Sequence, residues 1–217
     1  MTGTACAEGI GIRIGGVVLE ANLAIPKNAR SVVLFAHGSG SSRSSPRNRA
    51  VASALNDAGM ATLLVDLLTA EEDAIDRITA RLRFNIALLT QRLVGATDWL
   101  QQAPETGRLH IGYFGASTGA AAAFLAVVER PEVVGAIVSR GGRPDLVGPV
   151  LRYVRAPSLL IVGGNDTDIL GLSCRALAKL PSQSRLEIVP GATHLFEEPG
   201  ALDAVARLAA GWFGRHL

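Results

Sequence analysis

The chain predicts an α/β domain built on a mostly parallel sheet, with an antiparallel edge at its N-terminal end and helices on both faces. Three observations carry this. Short, almost wholly apolar runs such as Ser31–Ala36 and Ser158–Val162 recur along the chain, as expected of strands buried on both faces. Most are followed, after a turn rich in Gly or polar residues, by a longer run with helical spacing, and strand–helix repetition implies parallel pairing through crossovers. Residues 10–25 instead alternate apolar and polar around Gly15-Gly16, which reads as an antiparallel pair ended by Pro26.

The elements follow in order. After the Ser31–Ala36 strand comes the loop His37-Gly38-Ser39-Gly40-Ser41-Ser42, then a helix opened by Pro46 and stopped by Gly59. Ala61–Leu68 reads as a strand and 69–83 as a charged loop with a short helix. The spacing of Ile86, Leu89, Leu93 and Leu100 gives a helix over 84–100. Strand 109–114 leads into Gly115-Ala116-Ser117-Thr118-Gly119 and an Ala-rich helix from Ala120 to Val128. Val133–Ser139 is a strand, Asp145 is placed to cap a short helix to about Tyr153, and Ser158–Val162 is a strand. A helix over 169–179, a strand over 185–189 and an amphipathic helix over 202–213 complete the pattern. Trp99 and Trp212 fall on helices as packing residues.

At 217 residues with 48% hydrophobic content, the whole chain, 1–217, reads as one domain with a largely aliphatic core, since aromatic residues make up only 5%. A net charge of +2, scattered along the chain, argues against a nucleic-acid partner. No apolar run approaches the ~18 residues of a membrane span, and the N-terminus lacks the basic and apolar regions of a signal peptide. Two cysteines, Cys6 and Cys174, make no disulfide framework, so a cytoplasmic protein without a membrane partner is expected. No cluster has metal-ligand spacing, and neither a Rossmann fingerprint nor a Walker A sequence occurs, so neither metal nor cofactor is expected. Oligomeric state is not written in the sequence.

The motif with chemical content is Gly115-Ala116-Ser117-Thr118-Gly119. Strand, G-x-S-x-G and helix in succession is the context of a nucleophile elbow, in which the serine sits on a strained turn and the flanking glycines let strand and helix approach. A serine hydroxyl needs a base, and the base needs a carboxylate to fix its tautomer. Asp166 lies past the strand that ends near Val162, and His194 past the strand that ends at Val189. Together they give the order nucleophile, acid, histidine. Asp168 is the competing acid, and Asp166 read alone is a turn or cap residue. Of the other histidines, His110 reads as a core residue inside a strand, His216 lies at a helix end, and His37 ends the strand before the Gly/Ser loop. For the oxyanion hole, the backbone N–H of Thr118 is expected to act with that of Ser39, Gly40 being second choice. Arg140, immediately beyond a buried strand, is a candidate to hold a carboxylate or phosphate of the substrate. Arg43, on the loop after the Ser31–Ala36 strand, is the other substrate-binding candidate.

Four segments, His37-Gly38-Ser39-Gly40, Gly115–Gly119, Gly163-Gly164-Asn165-Asp166 and Gly191-Ala192-Thr193-His194, make the chain resemble the α/β-hydrolase superfamily over nearly its whole length. Its compact size and lack of a cap are most similar to the dienelactone hydrolase-like branch, including bacterial hydrolase domains fused to phosphoribosyltransferases. The resemblance implies an eight-stranded sheet and cofactor-free hydrolysis of a small-molecule ester or lactone. It also shows a departure: dienelactone hydrolases use a cysteine nucleophile, whereas this chain has Ser117, which favours a general carboxylesterase.

Overall fold

A computed structural model describes residues 7–217, so the expectation for Cys6 lies outside the described residues. The strands are β1 (Glu8–Ile14), β2 (Val17–Ala24), β3 (Ser31–Ala36), β4 (Ala61–Val65), β5 (His110–Ala116), β6 (Val134–Arg140), β7 (Ser158–Gly163) and β8 (Arg185–Val189). The helices are α1 (Pro46–Asp57), α2 (Ala70–Thr79), α3 (Ile86–Gln102), α4 (Thr118–Glu129), α5 (Thr167–Leu177) and α6 (Ala201–His216). The strands form one eight-stranded sheet in the order β1-β2-β4-β3-β5-β6-β7-β8. β2 runs antiparallel to both β1 and β4, and the remaining pairs are parallel.

The period of two along each central strand divides the core between two faces. On one, Val32, Leu34, Ile111, Tyr113 and Ile137 join Leu93 of α3 and Phe124 of α4. On the other, Val33, Phe35, Phe114, Val138 and Ile161 join Leu55 of α1 and Phe213 of α6. Each large side chain so buried contributes about 1.5–3 kcal/mol. The central strands β3, β5 and β7 carry almost no exposed residue. Their carboxyl ends therefore stand on a rigid floor, and the loops that leave those ends gather along one rim.

Local expectations fail in three places, each for a visible reason. β4 stops at Val65 rather than Leu68, because the Leu67 N–H leaves the ladder to donate to His37 Nε2 at 3.0 Å. The expected helix capped by Asp145 is replaced by two 3₁₀ turns, Pro144–Val147 and Leu151–Tyr153. The Asp145 carboxylate accepts from Arg143 Nε and Nη2 at 2.8 and 2.7 Å and is not free to cap. His110 is exposed at the first position of β5, not part of the core.

Helix α2 is inverted with respect to its composition. Its buried residue is Asp76, whose Oδ1 accepts from the backbone N–H groups of Leu82 and Arg83 at 2.7 and 3.0 Å, while Ile75 and Ile78 face solvent. Arg83 Nε donates to Asp76 Oδ2 at 2.6 Å, and these bonds, with Thr69 and Glu72 in a capping box, fix a helix that the hydrophobic pattern does not anchor.

Helix α4 packs against β5 at glycine. A Cβ on Gly115 would overlap the Ala120 backbone, and one on Gly119 would overlap the carbonyl oxygens of Ala36 and His37. Gly119→Ala is expected to lower unfolding free energy by about 2–3 kcal/mol in urea titration, within the range for overpacking. Gly211→Ala, on the exposed face of α6 where a Cβ meets nothing within 4 Å, is expected to raise it by about 0.5–1 kcal/mol.

Candidate active site

Ser117 lies between the end of β5 and the start of α4 with φ 49° and ψ −119°, a conformation that costs an L-residue about 1–3 kcal/mol. Main-chain bonds hold it there. The Ser117 N–H donates to Arg140 O at 3.2 Å, and Ser117 O accepts from the N–H groups of Ala120 at 3.1 Å and Arg143 at 3.2 Å. The turn is thus tied to the end of β6 and to the loop beyond it. Thr118 is the first residue of α4, so its N–H has no intrahelical acceptor and lies at the positive end of the helix beside the serine.

The loop after β3 presses against this turn. A Cβ on Gly38 would lie 3.1 Å from Ser117 Cβ and 3.2 Å from Ala116 O. Its geometry is set by His37, a buried residue with both ring nitrogens engaged. Nδ1 meets Gly38 O at 3.0 Å and Nε2 accepts the Leu67 N–H at 3.0 Å, which requires the neutral ring protonated on Nδ1. Burial drives the His37 pKa down, against the opposing pull of the Gly38 carbonyl and of Asp66 and Asp73. Gly38 O accepts a second bond from the Ser41 N–H at 3.2 Å. Because the Gly38–Ser39 peptide is planar and trans, fixing this carbonyl fixes the Ser39 N–H on the opposite side. Ser39 itself is exposed, and its N–H has no hydrogen-bond partner among the described residues.

The loops after β7 and β8 are joined to each other. The Gly164 N–H donates to Val189 O, the Asn165 N–H to Ala192 O and Asn165 Nδ2 to Gly191 O, each at 2.9 Å. This brings Asp166 Oδ2 within 2.6 Å of His194 Nδ1. Asp168 lies exposed in the first turn of α5 and has no part in that bond. Thr193 binds Glu198 through both its N–H and its hydroxyl, and Phe196, at φ 57°, buries its ring in the core beneath the loop. His194 packs over Gly141, where a Cβ would lie 3.4 Å from the imidazole. Gly141 follows Arg140, whose carbonyl holds the Ser117 N–H, so the imidazole and the serine turn adjoin the same corner of β6. The side-chain hydrogen bond that His194 makes among the described residues is the one to Asp166, and Ser117 Oγ is not bonded to it.

The two arginines expected at the substrate have different surroundings. Arg43 is held by Asp66, through its backbone N–H and Nη1, and by Glu20 at 3.1 Å, so it braces the loop after β3. Arg140 is buried, and its Nε and Nη1 have no protein partner. Sequence reasoning did not find the role of His37. A histidine directly before a Gly/Ser loop is the local signal, but its second partner comes from the end of β4, which no spacing specifies. Among the described residues no group of His, Cys, Asp or Glu is arranged to hold a metal, and no helix is long and apolar enough to cross a membrane.

This strand order, with a G-x-S-x-G turn at the end of β5, defines an α/β hydrolase. The model of the dienelactone hydrolase family matches residues 19–212. The crystal structure of dienelactone hydrolase from Anabaena variabilis superposes with a TM-score of 0.97 at 57% identity, covering 99% of each chain. Est1E from Butyrivibrio proteoclasticus shares the fold with a TM-score of 0.80 at 16% identity, over 95% of this chain and 98% of its own. Two Mycobacterium tuberculosis sequences that bear the provisional name phosphoribosyl transferase are 53% identical over 97% of this chain. The chain spans about half the length of these curated relatives, 46% of each. The chain belongs to the dienelactone hydrolase family, and hydrolysis is the class of chemistry which that membership supports.

The buried neutral His37 makes stability pH-dependent with a definite sign. Its folded pKa lies below its unfolded value, so its contribution is complete above the unfolded pKa of about 6.5 and is lost as pH falls through the folded one. Urea titration should show the wild type weakening between pH 8 and pH 5. His37→Phe, which strands the Leu67 N–H and lowers stability at pH 8 by about 1–3 kcal/mol, should lose part of that pH slope.

Proposed function

We propose that this protein is a serine hydrolase that cleaves a carboxylic ester or lactone of a small soluble substrate through an acyl-enzyme. The observation that carries the reading is the Asp166–His194 hydrogen bond of 2.6 Å formed beside the strained turn of Ser117. Each partner does what a serine hydroxyl lacks at neutral pH. Asp166 holds the proton on His194 Nδ1, which leaves Nε2 as the base that takes the Ser117 proton as Oγ attacks the acyl carbon. The N–H groups of Thr118 and Ser39 receive the negative charge that develops on the carbonyl oxygen. Preorganisation matters more here than the number of donors. The Thr118 N–H is fixed by the helix, and the Ser39 N–H by the two bonds on the Gly38 carbonyl.

Collapse of the tetrahedral intermediate expels the alcohol, which takes its proton from His194. Water then enters, gives a proton to His194 and attacks the acyl carbon, and collapse returns the serine with release of the acid. A thioester passes through the same steps with a thiol as leaving group. Acyl transfer to an alcohol or amine would need only that another nucleophile replace the water, and peptide cleavage only an amine as leaving group. The name borne by the M. tuberculosis relatives belongs to chains about twice as long, and the residues gathered at this rim support acyl chemistry.

The reading is tested with 4-nitrophenyl acetate and a fluorophosphonate probe. Wild type is expected to hydrolyse the ester and take the label, and Ser117→Ala to do neither. Equal labelling of the variant would exclude Ser117 as the nucleophile. Asp166→Asn is expected to lower kcat by about 10⁴-fold, the scale on which a lost tautomer acts. Asp168→Asn is expected to stay within about twofold, since that carboxylate is exposed and makes no hydrogen bond to the imidazole. The opposite ranking would move the acid to Asp168.

A further inference from the structure

Helix α2 buries one residue, the carboxylate Asp76, while Ile75 and Ile78 face solvent. The helix has other anchors: Arg92 Nη2 donates to Glu72 Oε1 at 2.8 Å, and Thr69 and Glu72 form the capping box. A buried ion pair adds little net stability over well-packed apolar residues, so the burial of Asp76 calls for a reason beyond holding α2. The partner of that carboxylate is Arg83, in the 3₁₀ turn Leu82–Phe84. Arg83 Nε donates to Asp76 Oδ2 at 2.6 Å, Arg83 Nη2 to Asp76 O at 2.9 Å, and the Arg83 N–H to Asp76 Oδ1 at 3.0 Å. These bonds fix the planar guanidinium in one orientation.

That orientation aims the remaining nitrogen at the loop after β3. Arg83 Nη1 makes no hydrogen bond among the described residues. A Cβ placed on Gly40 would lie 3.5 Å from Arg83 Nη1 and, beyond its chain neighbours, would meet nothing else within 4 Å. Gly40, at φ 69°, directly follows Ser39, so the exposed Ser39 is flanked by two glycines. Such a segment has wide conformational freedom unless both flanks are held. The carbonyl of Gly38 is held by His37 and Ser41. On the other flank the group in contact is Arg83. The space enclosed by the loop with Leu68, Asp76, Arg83, Leu89 and Thr118 is about 10 Å³, room for no more than one water molecule. The loop therefore cannot sink toward the guanidinium, and no substrate group fits between them. From this side Arg83 acts on the loop and not on a substrate.

We infer that Asp76, through Arg83, is a positioning residue for the oxyanion hole: it seats the guanidinium against Gly40 so that the Ser39 N–H stays aimed at the oxygen on which charge develops. This inference rests on the hydrolase reading and extends it to α2, an element that carries none of the groups assigned to the reaction. Support of this kind acts on the transition state, where charge reaches the carbonyl oxygen, and much less on the bound substrate. It therefore appears in kcat rather than in KM.

The test measures kcat and KM for 4-nitrophenyl acetate in Arg83→Met, Arg83→Lys, Asp76→Asn and the double variant of Asp76→Asn with Arg83→Met, each shown by circular dichroism to be folded at the assay temperature. Arg83→Met is expected to lower kcat by about tenfold with KM within about twofold, a part of what loss of a whole oxyanion donor costs. Arg83→Lys, which keeps a cation beside Asp76, should lose less. Asp76→Asn should also lower kcat, and the double variant should be no slower than the slower single one, because the two residues act as a unit. Affinity for a trifluoromethyl ketone, whose adduct with Ser117 carries an oxyanion, should fall in step with kcat/KM. Thr69→Ala, which loosens α2 at its capping box, should lower the melting temperature and leave kcat within about twofold. An unchanged kcat in Arg83→Met, or an equal loss in Thr69→Ala, overturns the inference while wild-type turnover keeps the hydrolase reading. If Asp76→Asn does not fold, the two Arg83 variants decide. If the wild type turns over no ester, the hydrolase reading fails, and backbone amide order parameters of Ser39 and Gly40 read the loop contact directly. Lower values in Arg83→Met support the contact, and equal values overturn it.

Discussion

The contact on which the site depends is the one between the end of β5 and the first turn of α4, where two glycines let backbone meet backbone. With side chains at 115 and 119, α4 would have to move away from the sheet, and Ser117 would relax from its positive φ. The strain at that residue is sustained by its bonds to Arg140, Ala120 and Arg143. The loops that complete the rim are placed relative to this turn: Gly38 touches it from β3, Arg140 holds it from β6, and His194 lies over the residue that follows Arg140. A small error at 117 would propagate to each of the loops gathered at this rim.

Two kinds of scaffold support that rim. One is apolar: the central strands are buried on both faces, so their carboxyl ends are rigid. The other is a set of short polar clamps that fix loops the core does not reach. His37 joins the loop after β3 to the end of β4, Asn165 joins the loops after β7 and β8, and Glu198 folds the chain back on Thr193. Asp76 does the same for α2, whose isoleucines face solvent while a carboxylate is buried. Here hydrogen bonds decide the conformation where hydrophobic patterning alone would give a different answer. Arg140 differs from these groups: it is buried, and its Nε and Nη1 have no hydrogen-bond partner among the described residues.

Much of the architecture was legible because it depends on local periodicity. Strands β3 and β8 coincide with the runs Ser31–Ala36 and 185–189, and the antiparallel edge with the alternation around Gly15-Gly16. What escaped depends on partners distant in sequence. β4 is shorter because a histidine thirty residues earlier takes the Leu67 N–H. The segment after Arg143 forms 3₁₀ turns because Asp145 is bonded to that arginine. His110 looked buried inside an apolar strand and is exposed because it is the first residue of β5, at its open end.

The sequence by itself determined the class of fold, the G-x-S-x-G turn with its serine, and the order of serine, aspartate and histidine along the chain. These follow from spacing, residue type and the steric freedom of glycine, which act within a few residues. Tertiary structure decided that Asp166 rather than Asp168 meets His194, that Arg43 is neutralised and Arg140 is not, and that His37 orients the peptide carrying the Ser39 N–H. Each of these is a question of which groups share a few ångströms after strands far apart in the chain have been laid side by side. Hydrogen bonding and charge pairing depend on that distance, and no local pattern encodes it.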